Sequence, residues 1–396
     1  MCGTKYVLRT YPICQKSPQG AVSDLDSWSI WNARKIAAGR APDCFPTLEN
    51  ASTPTEINNT LVPHSFPPIP TPPPPLILPA FKDVPPVLAS QVSSALRKSS
   101  DTSAPGPSGI PYSIWKRVHK GNEWILPSLL THLLTYRYHH LAMKKANGIV
   151  LDTPGKPDYC APASFHIIVL LETLSKKLER LSALLLTDAA RSLALHTNQC
   201  GSLSGLGCFD AVATLTHEVR LLQAGSFKVS TLFLDVKGGF DNVCAIKLAS
   251  ILAKGGVSAY LVAWIKSFLS SRQCPLMFQV APKLFSPVAV GTPQGSPISP
   301  LLFVLYLASL HPTIPQCLAS SYIAHLTITV ISDSVGSNIR ALQQYFGIIE
   351  RHGADLRMAF SVPNTDLIHW RTLKDRADAS FAPIVINNIL FLHHQL

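Results

Sequence analysis

The sequence is poor in acidic residues and has no long apolar run. Its 23 Asp and Glu residues stand against 34 Lys and Arg, which gives a formal charge of +11. The best apolar run, Pro300 to Leu310, is about ten residues long, whereas a membrane-spanning helix needs about 20. The first thirty residues lack the basic and apolar regions of a signal peptide. We therefore expect a soluble intracellular chain, in the nucleus or the cytoplasm, with no membrane partner.

The nine cysteines lack the spacing of a zinc finger or of a disulfide framework. They stand at positions 2, 14, 44, 160, 200, 208, 244, 274 and 317, and none forms a Cys-x-x-Cys pair. An odd number of scattered cysteines is typical of free thiols in a reducing compartment. A structural zinc site and a secreted disulfide scaffold are both disfavoured.

Length and hydrophobic content indicate a globular protein. The chain has 396 residues, of which 47% are hydrophobic, so it can bury a large core and form two or three domains. The positive charge suits a polyanionic partner, and nucleic acid is the usual one. A basic surface without such a partner is the alternative, because only 14% of the residues are charged.

Composition divides the N-terminal part of the chain into two segments. Residues 1–62 show no sustained hydrophobic period, and we expect them to be poorly structured. Residues 63–87 contain eleven prolines, which predicts an extended polyproline-II linker. Binding to an SH3-type partner is the alternative for this segment, but a spacer is the simpler interpretation.

From residue 88 onward, apolar spacing and turn residues predict alternating helices and strands. Helices are expected at Leu88 to Leu96, Trp115 to Leu134, Thr173 to Leu195, Phe209 to Leu222, Asn242 to Lys254 (with Asp241 as its N-cap), Ala259 to Leu269, 299–310 and Ile339 to Arg351. Strands are expected at Ile167 to Leu171, Val229 to Asp235, Tyr322 to Val330 and a hairpin of Leu276 to Val280 with Pro287 to Val290. This irregular alternation favours an α+β fold, with helices packed on one face of a sheet.

A first motif places an acidic residue at the end of an apolar strand. Residues 233–243 read Phe-Leu-Asp-Val-Lys-Gly-Gly-Phe-Asp-Asn-Val, so that Asp235 ends the strand and Phe240 follows five residues later. Nucleotidyl transfer uses two divalent metals that clamp the attacking and leaving oxygens, and carboxylates hold those metals. The structural alternative is that Asp235 only ends a strand and Phe240 is a core residue.

A second motif is rich in glycine. Residues 291–303 read Gly-Thr-Pro-Gln-Gly-Ser-Pro-Ile-Ser-Pro-Leu-Leu-Phe, a loop followed by an apolar helix. Gly291 and Gly295 let the backbone approach a base pair closely, and Gln294 can form hydrogen bonds with a template or a nucleotide. Glycines alone often make only a turn, so the weight of this motif comes from its length.

Together the two motifs resemble the palm of the reverse transcriptase of non-LTR (LINE-type) retrotransposons. Segments at Ala104 to Pro111, Glu172 to Arg180 and Phe360 to Arg371 resemble other parts of the same proteins. The resemblance covers roughly residues 90–375 and is closest to fungal elements.

The resemblance implies a right-hand polymerase fold with a small antiparallel palm sheet backed by helices. Residues 88–200 are fingers-like, 201–375 are palm-like, and 376–396 form a truncated C-terminal tail. We expect a thumb to be largely missing, and no endonuclease signature precedes residue 90. The chain therefore looks like a truncated, degenerate copy, and whether a partner supplies the thumb and the endonuclease stays open.

The resemblance also implies the role of each site residue. Asp235 is the metal-binding carboxylate and Phe240 excludes a ribose 2′-hydroxyl, while Gly291, Gln294 and Gly295 form the substrate-binding loop. The implied cofactor is Mg²⁺ or Mn²⁺, and the implied partners are an RNA template, a DNA primer and a deoxynucleoside triphosphate. The oligomeric state stays open.

Three departures from the family pattern fall on polar functional positions. The expected Tyr-x-Asp-Asp is Tyr322-Ile323-Ala324-His325, so Ala324 and His325 stand where an aspartate pair is needed. Alanine offers no ligand, and Mg²⁺ prefers oxygen ligands to imidazole. His166 replaces a fingers arginine that touches the triphosphate, and Asn364 replaces a lysine that protonates pyrophosphate.

Three functional hypotheses follow from these residues. The chain is an RNA-directed DNA polymerase with weak metal binding, or an inactive nucleic-acid-binding protein, or an element fragment without a selected role. The three departures favour impaired catalysis within a reverse-transcriptase fold.

Overall fold

The computed structural model describes the chain in stretches. The described residues are 48, 51, 53–68, 84–153, 160–192, 199–202, 207–277, 287–314, 317–361, 364–370, 384–386, 389–391 and 394–395. Most of the predicted N-terminal segment and of the proline-rich linker lies outside them. So do residues 278–280 of the predicted hairpin and most of the tail at 376–396.

Eleven α-helices lie in the described part of the chain. In chain order they are α1 (Pro54–Ser65), α2 (Ala89–Arg97), α3 (Tyr112–Gly121), α4 (Ile125–Thr135), α5 (Thr173–Ser192), α6 (Cys208–Ala224), α7 (Gly239–Asn242), α8 (Ala245–Lys254), α9 (Ala259–Leu269), α10 (Ser299–Ala308) and α11 (Val335–Asp355). None of these helices has the length and hydropathy that crossing a bilayer requires.

Strands alternate with these helices. They are β1 (Ala146–Asp152), β2 (Phe165–Leu171), β3 (Gln199–Cys200), β4 (Lys228–Lys237), β5 (Arg272–Gln273), β6 (Pro287–Val288), β7 (Leu318–Tyr322), β8 (His325–Ser332), β9 (Ala359–Phe360), β10 (Asp366–Trp370), β11 (Ile384–Ile386), β12 (Ile389–Phe391) and β13 (His394–Gln395). The described residues fall into two compact units: a sheet unit formed by 199–239 and 307–395, and a helical unit formed by 48–192 and 240–306.

The sheet unit is built around β4. Its main sheet has the order β13-β10-β4-β8-β7-β3, and β9 pairs with the end of β4. β4 runs antiparallel to β8 and β10, and the register sets Asp235 opposite His325. β7 and β8 form a hairpin closed by the pair Tyr322 and His325. The predicted α+β fold is confirmed. The sheet differs from the small antiparallel one expected, because it has seven strands and its outer strands β13 and β3 pair in parallel with β10 and β7.

The two faces of this sheet differ because side chains alternate along a strand. Leu232 and Leu234 share one face with their partners Ile328 and Leu326, and all four are fully buried. Helix α11 covers this face, where Asn338 Nδ2 donates to Ser230 Oγ at 3.0 Å and to Lys228 O at 2.8 Å. The opposite face carries Asp235 and His325. The apolar core thus fixes the register that brings these two side chains together.

One buried cluster of the helical unit lies on β1 and β2. β1 and β2 form a seven-residue antiparallel ladder from Ala146↔Leu171 to Asp152↔Phe165. Ile57 and Leu61 of α1 belong to the same buried cluster as Phe165 and Ile167.

Helix α1 corrects the prediction that residues 1–62 are poorly structured, since it begins at Pro54. A capping box starts it: Thr53 Oγ1 accepts from Glu56 N, and Glu56 Oε2 accepts from Thr53 N at 2.9 Å. Two apolar side chains at i and i+4 then give the helix one buried edge. The segment is too short to show an apolar period, but the capping box of Thr53 and Glu56 is present in the sequence.

Three other predictions need correction. The helix expected at Trp115 to Leu134 is two helices, because Asn122 adopts an extended conformation (φ −154°) and ends α3. The strand expected from Tyr322 starts only at His325, because residues 323 and 324 make the hairpin turn. Helix α8 has Cys244 as its N-cap, so Asp241 does not cap it. The other predicted helices are confirmed within a few residues at their ends.

A lysine is buried in the helical unit. Lys177 of α5 is 1% exposed, and its Nζ donates to Ala95 O at 3.1 Å and to Ser99 Oγ. The ammonium lies 4.0 Å from the centre of the Tyr112 ring, a cation–π contact. Burial, together with the charges of Arg180 and Lys116, lowers the pKa of Lys177 to about 7.

Replacing this lysine should change how stability depends on pH. The unfolded chain holds the Lys177 proton up to its ordinary pKa of 10.5, whereas the folded chain releases it above about 7. The parent should therefore gain stability relative to Lys177→Met as pH rises from 7 towards 10, by up to about 1.4 kcal/mol per pH unit. Urea unfolding of both proteins at pH 7, 8 and 9 measures the difference. If the difference in unfolding free energy between the two proteins is the same at pH 7, 8 and 9, the expectation is wrong.

Candidate active site

Asp235 is held rigidly in the sheet unit by backbone hydrogen bonds on both sides of β4. Its carbonyl oxygen accepts from Ser361 N at 2.8 Å, and the next residue donates from Val236 N to Ala324 O at 2.9 Å. β4 thus joins the turn at Ala324 to the segment that leads into β10. The Asp235 side chain is 20% exposed, so it is accessible from solvent at one end of the sheet.

The carboxylate of Asp235 faces two nitrogen-bearing side chains. Asn364 Nδ2 donates to Asp235 Oδ2 at 2.8 Å. His325 Nδ1 lies 3.8 Å from Asp235 Oδ1, a distance at which an ion pair forms when the imidazole is protonated. The structure therefore brings together Asp235, His325 and Asn364, three residues predicted from the sequence, with Ala324 beside them in the turn.

These donors do not fit a pair of magnesium ions. Two-metal transfer needs several carboxylate oxygens, whereas the carboxylate of Asp235 faces a hairpin that carries Ala324 and His325. Ala324 has no donor atom, and imidazole is a poor ligand for Mg²⁺. Across the described residues, no three or more His, Cys, Asp and Glu side chains cluster as a metal site. Asn364 and His325 thus place nitrogen atoms beside the Asp235 carboxylate, and the set of ligands for a two-metal site is incomplete.

The hairpin turn itself is well anchored. Ile323 has a φ of +51°, which is rare for a β-branched residue. Gly201, with a φ of +81°, lies beneath it, and a Cβ there would stand 2.8 Å from Ile323 Cγ1. Ser321 Oγ donates to the buried Gln199 Oε1 and lies 3.0 Å from His311 Nε2. The turn is therefore held from below by Gly201, Gln199 and His311.

An apolar cavity of about 100 Å³ lies between α6 and the face of the sheet that carries His325. Val212, Leu215, Phe233 and Tyr322 are among the residues that line it. Ligand pockets usually measure about 300–1,000 Å³, so this cavity is too small for a nucleotide.

In the helical unit, the two glycines of the second motif lie against the protein's own backbone. Gly291 has a φ of +82°, and a Cβ there would lie 2.7 Å from Asp241 O. Gly295 has a φ of +119°, and its Cβ would lie 2.7 Å from Val169 O. The glycines therefore seat the loop on its neighbours. Their predicted approach to a base pair stays a prediction.

The side chain of Gln294 forms a hydrogen bond with Asp241. Its Nε2 donates to Asp241 Oδ1 at 3.0 Å, and its carbonyl oxygen accepts from Val169 N at 2.7 Å. Burial raises the pKa of Asp241 to about 6, while the bond from Gln294 and the charge of Arg272 act in the opposite direction. Asp241 thus orients the side chain predicted to contact a template.

Arg272 anchors the start of the same loop and was not predicted from the sequence. It is buried, and its Nη2 donates to Val290 O at 2.8 Å and to Gly291 O at 2.6 Å. Burial lowers the pKa of Arg272 to about 10, which leaves the guanidinium charged at neutral pH. A single arginine between apolar segments carries no sequence signal of such a role.

Phe240 connects the two motifs. Its ring stacks on Phe303 of α10 with centroids 5.0 Å apart, and its carbonyl oxygen accepts from Thr292 N at 2.7 Å. The ring is half-buried. This contact agrees with the alternative that Phe240 is a core residue, although part of Phe240 remains exposed to solvent.

His166 lies in β2, opposite Leu151 of β1. Its Nδ1 is 3.4 Å from Thr153 Oγ1. Burial lowers the pKa of His166, with Asp152 opposing it, so the imidazole is neutral at pH 7. It does not replace the permanent positive charge of an arginine.

The chain belongs to the reverse transcriptase family. The family model described as "Reverse transcriptase (RNA-dependent DNA polymerase)" matches residues 153–366, more than half of the chain. This span contains both motifs, the hairpin turn and Asn364. The predicted family is confirmed.

Two proteins of Drosophila melanogaster are similar to the chain. The probable RNA-directed DNA polymerase from transposon X-element is 26% identical over 217 residues, 54% of this chain and 24% of that protein. The one from transposon BS is 26% identical over 270 residues, 66% of this chain and 29% of that protein. The chain thus spans about a quarter of the length of these relatives.

Among solved structures, apo telomerase from Candida tropicalis, truncated from its C-terminal domain, is similar with a TM-score of 0.43 and 10% identity. The similarity covers 66% of this chain and 56% of that one. A score this low supports no argument about the site.

Gly291→Ala should destabilise the protein. The new Cβ meets the backbone of Asp241, and the left-handed conformation adds strain, so we expect a loss of at least about 2 kcal/mol. Gly347→Ala in the interior of α11 is the matched control, because its Cβ meets nothing within 4 Å. That change should stabilise the helix by roughly 0.5–1 kcal/mol. Urea unfolding compares the two, and equal effects contradict the account of the loop.

Proposed function

We propose that the chain is a degenerate copy of a LINE-type reverse transcriptase that keeps the nucleic-acid-binding framework and has lost template-directed nucleotidyl transfer. The observation that carries this proposal is the environment of Asp235. Its two carboxylate oxygens face Asn364 and His325, and Ala324 leaves the neighbouring position without a ligand.

The position of His166 supports the same conclusion. A neutral imidazole in β2 gives no fixed charge for a triphosphate. Asn364 also differs from the lysine of the family pattern, since an amide cannot give a proton to pyrophosphate. Three polar positions have changed, while the apolar core of the sheet and the anchors of the Gln294 loop are intact.

The framework suits binding to nucleic acid. The chain has a formal charge of +11, and its loop offers Gln294 in an orientation fixed by Asp241. The ligands we propose are an RNA template and a DNA primer, with a deoxynucleoside triphosphate bound weakly. A fungal origin, supported by sequence resemblance alone, and a nuclear or cytoplasmic location are parts of the same proposal. An element fragment without a selected role is the alternative.

Primer extension tests the proposal. The parent should yield no product on an RNA template with Mg²⁺ or Mn²⁺, because its metal site lacks carboxylates. The double variant Ala324→Asp/His325→Asp restores the acidic pair and should give product. Adding Asp235→Asn to the double variant should remove that product again. Product from the parent that is lost in Asp235→Asn contradicts the proposed impairment.

A further inference from the structure

A chain of buried polar side chains in the helical unit ends at the loop that carries Gln294. Glu179 of α5 is fully buried. Its Oε1 accepts from Ser175 Oγ at 2.6 Å, and its Oε2 accepts from the hydroxyl of Ser296, the last residue of the loop 291–296. Ser175 Oγ also lies 3.0 Å from His139 Nε2.

The directions of two of these hydrogen bonds are clear, because Ser175 and Ser296 both donate to the Glu179 carboxyl. The direction of the bond between Ser175 Oγ and His139 Nε2 depends on the tautomer of the imidazole. Burial lowers the pKa of His139 to about 3, which keeps its imidazole neutral. The ring packs edge-on against Trp264 and Phe268, at 5.6 and 5.1 Å between centroids. The chain of hydrogen bonds is therefore fixed at its far end by aromatic packing.

Stability alone does not explain the carboxylate. Glu179 forms no ion pair with any described residue, and burial raises its pKa, opposed by the two serine hydroxyls and by the charges of Lys176 and Arg180. A buried charge costs several kcal/mol, and a neutral side chain of the same shape is often at least as stable. What the carboxylate provides is a fixed position for the Ser296 hydroxyl.

The loop has a second anchor between its ends. Arg272 holds the carbonyls of Val290 and Gly291 at its start, and Val169 N donates to Gln294 O at 2.7 Å. Glu179 holds its final residue. Loss of the last contact would free Gly295 and Ser296 and weaken the hydrogen bond from Val169.

We propose that Glu179 is a positioning residue whose carboxylate holds Ser296 and so fixes the loop on which Gln294 meets a template–primer base pair. The contact of Gln294 with a base pair rests on the proposed nucleic-acid binding. The hold of Glu179 on Ser296 concerns the protein alone and can be measured without a ligand.

The test uses two variants and a matched control. Glu179→Gln keeps the shape of the side chain, and Ser296→Ala removes the hydroxyl from the other end of the bond. Ser182→Ala is the control, because Ser182 lies on the same helix, is fully buried, and its hydroxyl has no hydrogen-bond partner among the described residues. Circular dichroism first confirms that each variant is folded.

The local measurement is hydrogen exchange at the Val169 amide. Exchange should be at least about tenfold faster in Ser296→Ala and in Glu179→Gln, and unchanged in Ser182→Ala, because the opening free energy of the loop falls. Unchanged exchange at Val169 in both variants overturns the proposal. If Glu179 only stabilised the fold, the variants would accelerate exchange at the amides of α5 by the same factor as at Val169.

The binding measurement is the affinity of the full chain for an RNA–DNA hybrid at several salt concentrations. Both variants should bind about five- to tenfold more weakly than the parent with the same salt slope, because no phosphate contact is lost. Faster exchange with unchanged affinity overturns the link between the loop and the base pair. If the parent itself does not bind the hybrid, the proposed function fails, and exchange at Val169 still decides whether Glu179 positions the loop.

Discussion

The register between β4 and β8 is the constraint on which the sheet unit depends. It sets Leu232 and Leu234 against Ile328 and Leu326 on the buried face, and the same register sets Asp235 opposite His325 on the other face. A slip by one residue would turn the apolar side chains outward, so the core protects the geometry of the site. The buried face of the sheet therefore fixes the position of Asp235 relative to His325.

Polar side chains fix the loop of the helical unit in the same way. Arg272, Asp241 and Glu179 each hold a different part of the segment around Gln294. Each would be costly to bury without its partners. All three partners are in place in the described residues, so the loop is held at its start, at Gln294 and at its last residue.

Much of the fold could be predicted from the sequence, because the two motifs are long and their apolar periods are regular. β4, the hairpin and most helices were predicted, and so was the presence of Asp235, Ala324 and His325 at one site. Helix α1 was missed because only two side chains mark its buried edge. Asp241 was expected to cap α8, since an acidic residue before a helix usually does, but tertiary contact with Gln294 prevails.

The partners of single polar residues could not be predicted. Arg272 and Glu179 lie in segments whose apolar pattern is that of any buried helix or strand, and their hydrogen bonds to the loop span 18 to 117 positions. The contact between Asn364 and Asp235 spans 129 positions and depends on the pairing of β9 and β10 with β4. Only the assembled sheet brings these side chains together.

Binding of Mn²⁺, followed by electron paramagnetic resonance, tests most directly the claim that the metal site is incomplete. The parent should show no bound Mn²⁺ that depends on Asp235, because one carboxylate beside Ala324 does not hold a divalent ion firmly. The variant Ala324→Asp/His325→Asp should bind Mn²⁺, and Asp235→Asn in that background should abolish the binding. Mn²⁺ bound to the parent and released by Asp235→Asn would contradict the account.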